Sequence, residues 1–242
     1  MQALVMDFNG IALKRKARLA GLLYLFLVFS GLYGLIYLPS KIPQGGDAAT
    51  TAKNILANEF LFRTGLVNGM ISGLLFLFVV LALYRLFEPV DSKQARLMVI
   101  LIVLQIPIGF VLEVFPLTSL MILKGEALKF LEPGKQEQVA LILLEIGKQG
   151  TLSLEFFWGL WLFPFAWLVW KSGFIPRILG LFLMLNGLAY ILEWFTLLLF
   201  PSYKAQMRVW AFPFFFGELA ITLWLLLIGI RKKAETHENV SP

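Results

Sequence analysis

The 242-residue chain is 59% hydrophobic and only 15% charged, whereas a soluble domain carries about 25% charged residues, which excludes a water-soluble globular fold. Cysteine is absent and the one histidine, His237, sits in the polar stretch Ala234–Pro242, so disulfides, thiol chemistry, cysteine-held metals and an internal imidazole are excluded with it. The net charge of +6 comes from basic residues at the ends of apolar runs rather than from one patch, which argues for membrane orientation and against a nucleic-acid partner.

A helix crosses about 30 Å of hydrocarbon with roughly 20 apolar residues. Runs of that length occur near residues 17–39, 61–87, 97–123, 150–171, 176–200 and 211–230. The pattern predicts an all-α polytopic bundle of six transmembrane helices over residues 17–233. A cytoplasmic segment at 1–16, a cytoplasmic polar tail at 234–242 and short surface helices in the outer loops complete it. Residues 1–16 read as no signal peptide: a basic cluster follows a weakly apolar start, and no small-residue cleavage site follows.

The first span is expected to stop at Tyr37-Leu38-Pro39, an interfacial aromatic followed by a helix breaker. In the loop Gly45–Thr51, Asp47 suits the N-cap of a short helix reaching about Leu56 at the membrane surface. The second span opens after Asn58 and closes at Tyr84-Arg85. Within it Gly65, Gly69 and Gly73 recur every fourth residue beside Ser72, a stripe for close helix packing or, alternatively, for lining a groove.

The third span holds Pro107 and Pro116, with Glu113 three residues before the latter, so a loosened turn and an ionisable group share one place. The stretch from Val139 to Trp170 is too long for one perpendicular crossing. Glu145, Gly147, Lys148, Gln149 and Gly150 interrupt it. Residues 139–149 therefore read as a surface or re-entrant helix, with continuation into span four as the alternative. Ser172-Gly173 supply a C-cap and Pro176 fits the first turn of span five, which makes spans four and five antiparallel neighbours. The basic clusters Lys14–Arg18 and Arg231–Lys233 flank the first and last spans, which is expected to place both termini in the cytoplasm.

Four carboxylates interrupt the apolar runs: Glu113, Glu155, Glu193 and Glu218. With both termini inside, each falls in the outer half of its span, displaced about 3–8 Å from the centre at 1.5 Å per residue. Asn68 lies at a similar depth, and Arg63 and Lys148 nearer the outer surface. A charge in hydrocarbon costs about 2.5–3.5 kcal/mol even on lenient scales, so each glutamate should face the bundle interior or water. Such a cluster suits an outward-facing pocket that binds a small molecule or cation, or carries protons coupled to a solute, with Arg63 as countercharge at its mouth. The alternative is a sensor, lipid-binding or partner-binding subunit whose glutamates tie helices together. No nucleophile elbow, zinc helix or phosphate loop occurs, so no catalytic residue, metal or cofactor is expected. The lipid bilayer is the one partner implied, and oligomeric state stays open. The seven Trp and 23 Phe read as lipid-facing and interfacial bulk, with Trp170 and Trp210 in the aromatic belts.

The strings GDAATTAKNILANE (Gly46–Glu59) and SGFIPRILG (Ser172–Gly180), with RLAGLLY (Arg18–Tyr24) and GELA (Gly217–Ala220), resemble the bacterial multipass family catalogued as domain of unknown function (DUF) family 4386. The resemblance covers about residues 14–233 and implies an integral membrane protein of prokaryotes with no established activity. It also implies a histidine near the start of the fourth span, where this chain has Gly147-Lys148. Glu218 falls within a matching string, which favours it over the other three acids.

Because the sequence has no cysteine, single introduced cysteines report topology directly. Gln44→Cys should react with an impermeant maleimide on intact cells, and Ser92→Cys only after lysis. The reverse pattern inverts the orientation.

Overall fold

A computed structural model describes residues 2–44 and 46–231, with side chains from Gly10 onward. Gly45, Lys232, Lys233, His237 and the whole 234–242 tail lie outside the described residues. Among the described residues the secondary structure is helical throughout: α1 Gln2–Leu32, α2 Leu38–Lys41, α3 Ala48–Ala57, α4 Glu59–Phe87, α5 Ser92–Leu112, α6 Val114–Leu123, α7 Pro133–Leu160, α8 Leu162–Ser172, α9 Arg177–Leu199, α10 Lys204–Ala211 and α11 Phe216–Leu223. They join into six helices long and apolar enough to cross a membrane: Gly10–Lys41, Glu59–Phe87, Ser92–Leu123, Pro133–Ser172, Arg177–Leu199 and Pro201–Ile228. Each packs against the next in sequence and the sixth returns against the first, so they close a ring in chain order.

The π turn Trp224–Ile228 apart, proline sets most of the irregularities. It lacks an N–H, and its ring strikes the carbonyl four residues back. Pro116 thereby spoils the Leu112 carbonyl, and the helix is interrupted at Glu113 between α5 and α6. Pro164 does the same to Leu160, and Trp161 separates α7 from α8. Ahead of Pro39 the helix widens into a π turn, Tyr33–Tyr37, in which the Leu38 N–H reaches the Tyr33 carbonyl. The first span therefore does not stop at Pro39 but runs on to Lys41. Pro213 lies in a tighter 3₁₀ turn, Phe212–Phe215.

Two further expectations are corrected. Residues 139–149 form neither a surface nor a re-entrant piece but the middle of the unbroken helix α7. Gly147 and Gly150 sit there because α5 and α6 press close: a methyl at Gly147 would lie 3.3 Å from the Pro116 ring, and one at Gly150 would strike Leu112. Lys148 and Gln149 both bond back to Glu145, which adds support on the helix face. The last span begins at Pro201 rather than near residue 211, its polar first turns held by the pairing of Arg208 with Glu193.

Asp47 caps α3 as its sequence suggests, accepting from the Thr50 N–H at 2.7 Å. The helix is folded onto the end of the bundle, against α4, α6 and α7. Its Ile55 is buried with Ile42, Phe62, Leu120 and Leu144 in a small second core. At the opposite end Gly173 adopts a left-handed φ of 70° to close α8, and Pro176 stands at the N-cap of α9, one place before its first turn. The Lys171 ammonium donates to Asp91 at 2.9 Å, tying α8 to the loop between spans two and three. That contact, with the Gln94 N–H, holds the Asp91 carboxyl below its ordinary range.

The centre of the ring is filled, not open. Trp161 is 1% exposed and packs on Tyr24, Phe76 and Phe165 at ring-centroid distances of 6.0, 5.1 and 5.4 Å. The reading of the aromatics as lipid-facing and interfacial bulk fails for Trp161, which stands buried at the break between α7 and α8, three residues before Pro164. Trp170 and Trp210 remain on the outside.

Backbone contact between helices depends on single glycines. A methyl on Gly159 would lie 2.7 Å from the Gly187 carbonyl oxygen, and one on Gly187 would lie 2.8 Å from that of Gly159. Gly180 meets the Ala166 carbonyl at 2.9 Å and Gly217 that of Phe182 at 2.8 Å in the same sense. Gly159→Ala and Gly187→Ala should each destabilise by about 1–3 kcal/mol, since overfilling a backbone contact forces the helices apart. Gly73→Ala, whose methyl would stand 3.8 Å from Phe110, should be near neutral. Thermal unfolding in detergent reads this, and a Gly159→Ala protein that melts with wild type would refute the crossing.

Candidate functional site

Asn186, Tyr190 and Glu193 fall four and three residues apart, which aligns them on one face of α9. At about 1.5 Å per residue they stand roughly 13, 20 and 24 Å along the helix from Arg177. Onto this face come Glu155 from α7, Glu218 from α11 and Tyr24 from α1. Tyr24 and Asn186 flank Glu218. Tyr190 lies within electrostatic reach of Glu218, Glu155 and Glu193. It is wedged between Trp158 of α7 at 6.0 Å and Phe215, just before α11, at 4.7 Å.

Burial and bonding are uneven along this column. Glu193 is 4% exposed, and its Oε1 accepts from Arg208 Nε at 3.0 Å. Glu155 is 7% exposed and lies near Glu193, Arg208 and Lys204, yet its Oε2 has no hydrogen-bond partner among the described residues. The Tyr24 hydroxyl and both polar atoms of Asn186 are likewise buried and unpartnered. Buried polar groups are nearly always bonded, and this column holds four of the eight unpartnered buried atoms among the described residues, the others being on Thr51, Gln105, Trp194 and Trp224.

The other residues singled out in the sequence lie elsewhere. Glu113 stands at the α5–α6 junction with its carboxyl against Gly69, away from the groups that act on Glu155. Gly65 faces Leu38, and Gly73 faces Phe110 and Ile106, so the stripe meets both neighbouring spans. Asn68 belongs to a small polar clasp: Ser30 Oγ donates to Asn68 Oδ1 at 2.8 Å, Asn68 Nδ2 donates to the Ser30 carbonyl at 3.1 Å, and Ser72 bonds Ser30. Arg63 pairs with Glu59 at 2.8 Å, and Lys124 shares that acid. The countercharge beside the buried acids is therefore Arg208, not Arg63. A shallow apolar groove lined by Leu81, Tyr84, Arg96, Val99 and Ile100 lies between spans two and three, far along the bundle from the acids. Among the described residues no three of His, Cys, Asp or Glu gather closely enough to hold a metal ion.

Tyr24, Asn186, Tyr190 and Arg208 were not singled out from sequence as site residues. The spacing of Asn186, Tyr190 and Glu193 in an apolar run carried a usable signal for one polar helical face. Arg208 carried none, because its partner lies across a hairpin and its neighbour Trp210 makes it look interfacial.

The family model "Domain of unknown function (DUF4386)" matches residues 19–229, and the chain belongs to that family. An uncharacterized protein of the archaeon Archaeoglobus fulgidus is 35% identical over 79 residues, which are 33% of this chain and 45% of that protein. The chain thus matches less than half the length of that relative. No solved structure matches it.

Removing Arg208 strands a buried carboxylate, whereas removing both partners does not. Arg208 is 59% exposed against 5% for Glu193, so solvent screens part of the cost. Arg208→Gln should destabilise by about 1–3 kcal/mol, and adding Glu193→Gln should recover part of it in a double-mutant cycle read by thermal unfolding. Strictly additive effects would show the pair to be uncoupled.

Proposed function

We propose that this member of the DUF4386 family is a proton-binding membrane protein in which Glu155, Glu193 and Glu218 couple protonation to the binding or transport of a small solute. One observation carries the reading: Glu155 is buried beside a second acid whose bonded cation is already engaged, and its Oε2 has no partner. An uncompensated carboxylate in a low-dielectric interior is costly, and a bound proton removes the charge. A proton or small organic cation suits the cluster better than a metal ion, given the scattered ligands.

On this reading residues 17–233 form the membrane domain of a bacterial plasma-membrane protein with both termini cytoplasmic. The Arg208 end of the column then faces outward, as the charge clusters at Lys14–Arg18 and Arg231–Lys233 support. Glu113, Asn68 and Arg63 serve packing at the span one–three side rather than the proton site. The rival class, a sensor or a lipid- or partner-binding subunit with acids as helix ties, draws on the Glu193–Arg208 pair, which links α9 to α10.

Proton counting separates the two. Purified wild-type protein in weakly buffered detergent, titrated from about pH 8 to about pH 5, should take up roughly one proton per chain more than Glu155→Gln, since bound protons follow ionisable groups directly. Equal uptake by the two proteins would show that Glu155 does not titrate, and would remove the proton site.

A further inference from the structure

The polar column has a direction. Toward the Lys14–Arg85 end, the face of α9 that carries Asn186 continues as Leu183 and Leu179, both buried, against Leu162, Phe165 and Trp161 of the central core. Toward the other end it continues through Tyr190 to Glu193, Glu155 and the half-exposed Arg208. Glu218, half-buried, sits on the core side of the column beside Tyr24 and Asn186, and the Tyr190 ring lies between Trp158, three residues on from Glu155, and Phe215, three residues before Glu218. Trp158 and Phe215 clamp the Tyr190 ring from α7 and from the approach to α11, so its hydroxyl is held in the column rather than free to turn to lipid.

We infer that Tyr190 is the proton-relay residue through which Glu218 exchanges protons with Glu155, from the Arg208 end only. The inference rests on the proton-binding reading above. The acid at Glu218 gives its proton to the Tyr190 oxygen while the phenol's own proton passes to the Glu155 carboxylate. Glu218 is left as carboxylate, Glu155 becomes the acid, and the phenol is restored, so protons and charge balance. Such links run directly or across one bridging water. The charged and titratable groups facing the relay are Glu218 on span six, Glu155 on span four and Glu193 on span five, with Arg208 and Lys204 acting on Glu155. Tyr24, beside Glu218 on the core side, lies off the route.

Tyr190→Phe keeps the ring and its two aromatic contacts and removes only the hydroxyl. The test is rapid mixing of the full-length protein into heavy water at acidic pH, following the carboxylic-acid infrared band assigned to Glu218 by its loss in Glu218→Gln. In Tyr190→Phe the hydrogen–deuterium shift of that band should slow by about 100-fold, the low end of what a positioned proton-transfer side chain contributes. The band assigned to Glu155 should exchange at the wild-type rate, and Tyr24→Phe should leave Glu218 exchange unchanged. Slowing of less than about tenfold in Tyr190→Phe overturns the relay. Comparable slowing in Tyr24→Phe overturns the one-sided route. Failure of the underlying reading looks different: Glu155→Gln and Glu218→Gln then remove no acid band at all.

Discussion

Where Gly159 of α7 meets Gly187 of α9, the two backbones touch, and the polar interior is arranged around that point. Without a hydrophobic force between helices in lipid, close backbone approach is what holds them, and here neither residue has room for a methyl group. The helices run antiparallel, so moving from the crossing toward the Arg208 end brings Glu155 four residues back along α7 and Glu193 six residues on along α9. At about 1.5 Å per residue these offsets are roughly 6 and 9 Å, which puts two acids from different helices at nearly one level. Asn186 and Tyr190 flank Gly187 on the same helix and are placed by the same contact. On the other side of the crossing Trp161, two residues past Gly159, fills the centre of the ring.

The prolines make this crossing compatible with a filled core. Pro164 frees the helix at Trp161, immediately beyond Gly159, so α8 can take a different course along α9 from that of α7. Pro116 does the corresponding thing at Glu113, letting α6 follow α7 while α5 stays against α4. Both interruptions fall three residues before the ring, as expected when a proline displaces the carbonyl four back. The acid at Glu113 thus occupies a bend that packing needs, against glycine, and the acids at Glu155 and Glu193 occupy regular helix, against each other. Chemically alike residues in similar spans have come to rest in different settings.

The six-helix architecture was legible because hydropathy over some 20 residues is a long, redundant signal. So were Asp47 as a cap and Gly173 as a stop, which depend on neighbours one to three residues away. Segment 139–149 was misread because glycine and charge in sequence look like a break, whereas Gly147 and Gly150 are there to admit Pro116 and Leu112 from another helix. The stripe Gly65, Gly69 and Gly73 was visible by its period. The backbone contacts at Gly159, Gly180, Gly187 and Gly217 were not, since none of these glycines belongs to a run repeating every fourth residue. The partition of the four glutamates was equally hidden. Depth along a span can be counted from residue numbers, but the face a helix presents depends on crossings that no single helix encodes.

The central claim is that the Gly159–Gly187 crossing keeps a set of acids inside the bundle and away from lipid. A cryo-electron microscopy structure in lipid nanodiscs tests it most directly. The account predicts α7 and α9 in backbone contact at those glycines, with the Glu155 and Glu193 carboxylates side by side in the interior and Arg208 bonded to Glu193. Helices parted at Gly159 and Gly187, or Glu155 turned out toward the lipid, would contradict it.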